Sequence, residues 1–99
     1  MNIPDDPFVR ELLPEFVDSW ITDINEQFQP YVDERKTDEL YRLAHTLKGS
    51  CYQFGLNDVG DMGVELMEYA KEEEWEKAVE MKSKIIKRFN EIKSELEAA

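Results

Sequence analysis

A chain of 99 residues sets 23 acidic against 12 basic side chains, a formal charge of -11. That length suffices for one domain, here residues 1–99, that buries roughly 60% of its unfolded surface without staples, and an acidic excess of this size repels phosphate backbones and anionic lipid, which excludes general nucleic-acid and membrane-surface binding and leaves proteins as partners. No apolar run approaches the ~20 residues of a membrane span, Met1 to Asp6 has neither the basic region nor the apolar stretch of a secretory signal, and Cys51 is the single cysteine, so we expect a cytoplasmic monomer with no internal disulfide.

Four helical patterns follow one another, with no strand pattern between them. Asp6 before Pro7 reads as an N-cap and first helical residue, after which Phe8, Leu12, Phe16, Trp20, Ile24, Phe28 and Tyr31 recur at helical spacing. Pro14 should interrupt or kink this helix early, and Pro30 should limit it again before a polar link from Asp33 to Lys36. The second helix starts at Thr37, whose hydroxyl can cap free N–H groups, and runs to about Phe54, where Gly55 is placed to end it. Asn57 or Asp58 can cap a third helix whose apolar stripe is Val59, Met62, Leu66 and Ala70, and which fades into a turn at Glu72, Glu73 and Glu74. Trp75, Val79, Ile85, Ile86, Phe89, Ile92 and Leu96 mark the fourth, with Lys82, Lys84, Lys87, Arg88 and Lys93 toward its C-terminal half, where cations suit the helix dipole. Short links make neighbours antiparallel, so the expected fold is an all-α, up-down-up-down four-helix bundle with a short N-terminal helical extension before Pro14.

The second helix carries the chemistry. It contains His45-Thr46-Leu47-Lys48-Gly49-Ser50, followed by Phe54-Gly55, and His45 is the only histidine in the chain. At ~100° per residue, Leu40, Leu43, Ala44, Leu47, Cys51 and Phe54 point nearly opposite to it, so the imidazole faces outward, with Tyr41, Arg42, Lys48, Gly49 and Tyr52 on the same side. Glycine at a solvent-facing interior position costs ~1 kcal/mol relative to alanine, and room for a bulky tetrahedral group beside the ring would offset that cost. A neutral imidazole offers a nucleophilic nitrogen without a helper base, and Lys48 one turn away can supply charge-assisted hydrogen bonds to a phosphoryl group. Such a pair at an exposed position is worth ~0.3 to 1 kcal/mol, enough to bias geometry and too little to drive transfer. With no glycine-rich phosphate loop or nucleotide motif in the chain, the machinery must come from a partner, and the chain reads as a carrier. Trp20, Trp75, the methionines and Cys51 read as core, and a lone histidine among surface carboxylates is a poor metal site. A general-base enzyme built on His45 would need a closed pocket beside the ring.

These residues resemble the motif of histidine-containing phosphotransfer (HPt) domains of bacterial-type phosphorelays, and the helical pattern resembles them over nearly the whole chain. The resemblance implies His45 as phosphoacceptor through Nε2, Lys48 as the residue that steadies the phosphoryl oxygens, and Gly49 as the source of steric access, with Ser50 and Gln53 in lesser roles. It implies reversible exchange with an aspartate of a response-regulator receiver domain, fed by a histidine or hybrid sensor kinase. The receiver brings its own acidic pocket and Mg²⁺, while this chain binds no cofactor or metal. Docking would use the face around Tyr41, Arg42, Tyr52 and Gln53; the alternative is a module that docks receivers or kinases without being phosphorylated. Many relatives hold the second ring nitrogen with a Glu or Gln twenty-two positions after the histidine, where this chain has Met67, leaving Glu68 or water for that role.

Overall fold

Four α-helices follow in chain order in the computed structural model, which describes residues 3–98: α1 (Pro7–Asp33), α2 (Thr37–Gln53), α3 (Asn57–Lys71) and α4 (Trp75–Ala98). Each packs on its neighbour in sequence and α1 closes the ring against α4, while the backbones of the diagonal pairs α1/α3 and α2/α4 stay apart. This is the expected antiparallel four-helix bundle. Its long axis, 40 Å, is the length of α1 itself at about 1.5 Å per residue.

α1 opens as expected: Asp6 is extended and its carboxylate accepts a hydrogen bond from the N–H of Phe8 at 2.9 Å, while Pro7 fills a position whose N–H needs no partner. Contrary to expectation, Pro14 does not interrupt it. The helix runs through Pro14 and Pro30 because Leu13 and Val17, fully buried on either side of an exposed Pro14, anchor both halves in the core, and that packing outweighs the ~3 kcal/mol cost of an interior proline. The N-terminal extension is therefore the first two turns of α1, continuous with the rest.

One turn is used three times. After α1, α2 and α3 the chain passes through a left-handed residue, Arg35 (φ 55°), Gly55 (φ 78°) and Glu73 (φ 55°). The next N–H reaches back to a carbonyl of the last helical turn: Lys36 to Tyr31, Leu56 to Cys51 and Glu74 to Tyr69, each at 2.8 Å. These are Schellman closures, and the next helix begins on the following residue. That economy corrects the expected caps. Lys36 and Leu56 occupy the N-cap positions without side-chain bonds, so Thr37 lies inside α2, its hydroxyl donating to Glu73 at 3.4 Å, and Asp58 lies inside α3, paired with Arg88 of α4. Only the second turn has the glycine that φ > 0 favours. Glu73→Gly should therefore raise stability by about 1 kcal/mol, a rise of ~4–8 °C in the thermal midpoint, which a melting curve would read directly.

The core runs the length of the ring, through Leu13, Val17, Ile24 and Phe28 of α1, Leu40, Ala44 and Leu47 of α2, Val59 and Leu66 of α3, and Ile85, Phe89 and Ile92 of α4. Cys51 is wholly buried among them, and burial, aided by the negative charge of Asp58, pushes its thiol from 9.0 up to about 12. The unfolded chain releases that proton near pH 9 and the folded chain holds it to about pH 12, so this contribution to stability is intact below pH 9 and lost as pH rises between the two. Tyr52, Lys77 and Lys93 are also raised, by bonds to Asp61, Glu74 and Asp18, and act in the same direction. The urea midpoint should fall steadily above pH 9, and Cys51 should resist thiol reagents at pH 8 until the chain is unfolded. Labelling at the rate of a free thiol would contradict the burial.

Candidate functional site

α2 places every candidate residue. Its inward stripe of Leu40, Ala44, Leu47 and Cys51 is buried to within 1% of completeness, which fixes the rotation of the helix and turns His45, near its middle, to solvent. Tyr41, Arg42, Gly49, Tyr52 and Gln53 are exposed with it, while Lys48 is half-buried on the α3 side. Among the described residues, no hydrogen bond or ion pair engages the His45 ring, and none engages the Lys48 ammonium despite the acidic excess. A Cβ built on Gly49 would meet nothing within 4 Å, so the space beside the ring is open. His45 stands on a convex helix face rather than in a closed pocket. The adjacent groove of about 240 Å³ between α1 and α2 is lined by Trp20, Asp23, Tyr31, Arg42 and Thr46 but not by His45.

The α3 wall holds what sequence reasoning missed. The Tyr52 ring packs against Gly60, where any Cβ would overlap it, and its hydroxyl donates to Oδ1 of Asp61 at 2.6 Å. That bond to a carboxylate, reinforced by the nearby charge, raises the phenol above its ordinary value and pins the ring on the exposed face. Gly63 presses against the backbone of Lys48. The Gly60/Gly63 pair permits this close approach of two helices, whereas nothing in the sequence singles out Asp61 or the exposed Val64. Met67, where a ring-holding Glu or Gln stands in many proteins with this motif, is half-buried against the core.

A family model described as the Hpt domain matches residues 9–99. The chain belongs to the HPt domain family. Searches of curated proteins and of solved structures give no match. HPt domains serve histidine phosphotransfer in two-component signalling, as phosphocarriers that meet kinases and receiver domains rather than as catalysts in their own right. The candidate site of this HPt domain is an exposed helix surface. No helix among the described residues is long and apolar enough to cross a membrane.

Proposed function

We propose that this HPt domain carries a phosphoryl group on Nε2 of His45, taking it from a receiver aspartate or from a histidine or hybrid sensor kinase and passing it to another receiver aspartate. The observation that supports this best is the juxtaposition on α2 of the chain's only histidine, exposed, a half-buried lysine one turn away that makes no ion pair among the described residues, and the open space at Gly49. In the forward step Nε2 attacks the phosphorus of an aspartyl phosphate, the N–P bond forms as the P–O bond breaks, and the aspartate leaves as a carboxylate in the receiver's Mg²⁺-bearing pocket. Lys48 offsets the negative charge that remains on this chain, and Gly49 leaves room for the three phosphoryl oxygens.

The proposed docking face is the exposed surface of α2 around His45. Tyr41 and Tyr52 flank His45 along α2, with Arg42 and Gln53 beside them, and the other large apolar side chains exposed among the described residues are Phe8, Leu12 and Val64 on α1 and α3. α4 contributes none, which makes it the back of the molecule. Incubation with several phosphorylated receiver domains and Mg²⁺, read by intact mass, tests the proposal: one acid-labile, base-stable phosphoryl adduct is expected. Binding without an adduct would make this a docking module instead.

A further inference from the structure

We propose that Gly63 of α3 is a positioning residue for the phosphoryl site, acting through Lys48. This rests on the reading of His45 and Lys48 given above and extends it to a second helix.

A Cβ added at Gly63 would lie 3.1 Å from Cα, Cβ and N of Lys48 at once. Contacts that short are tighter than most in real packing, so Lys48 must give way by a few tenths of an ångström, and two of the three atoms belong to the backbone, so no flexible chain end can swing aside to absorb them. Gly63 thus defines how deeply the root of Lys48 enters the α2/α3 seam. The lysine is half-buried with its root against Gly63, while its ammonium makes no ion pair among the described residues. A cation held in this way keeps its charge for an incoming anion and loses less side-chain freedom when it engages one. The residue that follows on α3 is the exposed, apolar Val64, which offers the ammonium no carboxylate. Gly63 itself is buried, 18 positions from His45 in sequence, and has no side chain with which to touch a phosphoryl group.

An added methyl forces the Lys48 root outward or restricts the directions its stem can take, and either change displaces the ammonium from the phosphoryl oxygens. The same substitution raises helix propensity by ~1 kcal/mol, which offsets part of the packing cost and keeps the variant folded. A second variant, Gly63→Ala combined with Glu73→Gly, adds stability at a turn outside the site.

The test is a double-mutant cycle with phosphoramidate as the donor, so that no receiver is needed. Nε2 of His45 attacks phosphorus, the donor's P–N bond breaks and ammonia departs with a proton from solvent. Labelling rates by intact mass are compared for the wild type, Gly63→Ala, Lys48→Ala and the pair, with circular dichroism confirming folded samples. We expect each single substitution to slow labelling about three- to ten-fold, and the pair to be no slower than Lys48→Ala alone, because the glycine then has nothing left to position. Slowing that multiplies in the pair, or a Gly63→Ala protein that labels at the wild-type rate, overturns the proposal while His45 remains the acceptor. A wild type that takes no label overturns both readings, a signature distinct from a failed cycle.

Discussion

His45→Gln should abolish phosphoryl labelling, by receiver or by phosphoramidate, while moving the stability of the bundle by no more than about 0.5 kcal/mol. The two halves of that expectation have separate causes. The ring is exposed and engages no partner among the described residues, so removing it breaks no contact, and glutamine sits well in a helix. The amide that replaces it carries no lone pair of imidazole basicity, and the chain has no second histidine to take over. Intact mass and a melting curve on the same sample decide the matter: unchanged labelling would remove His45 from its role, and a lost fold would show that the ring supports the bundle after all.

Phe89→Ala should have the opposite profile. Phe89 is fully buried in α4, so truncation leaves a large cavity and costs about 3–5 kcal/mol, lowering the thermal midpoint by well over ~10 °C. Yet the backbones of α4 and α2 do not approach each other, and below its melting range the variant should be labelled at the wild-type rate. Slow labelling of a demonstrably folded Phe89→Ala protein would contradict the separation between back wall and working face.

That separation explains what could be read from the amino-acid sequence and what could not. The helix count, the turns at Gly55 and at Glu72 to Glu74, and the outward direction of His45 follow from periodicity, because burial of one stripe fixes the rotation of a helix. Pro14 misled because a local cost of a few kcal/mol is decided by tertiary packing on both sides of it, which local pattern does not contain. Thr37 and Asp58 misled as caps because each closure leaves no residue to spare between helices. The site divides in the same way. His45, Lys48, Gly49, Tyr41, Arg42, Tyr52 and Gln53 share one helix, where angular arithmetic is enough, whereas the Asp61 bond to Tyr52 and the seat of Lys48 on Gly63 depend on the register between α2 and α3.

On the proposed reading, the convexity of the His45 face also sets a rule of traffic. A histidine on one outward helix surface offers a single berth, so a donor and an acceptor that both need Nε2 cannot be aboard together. Each must depart before the other arrives. Relay through such a site is a shuttle with alternating visitors, its throughput capped by the slower departure, and an attachment tight enough to outlast the chemistry would stall the line.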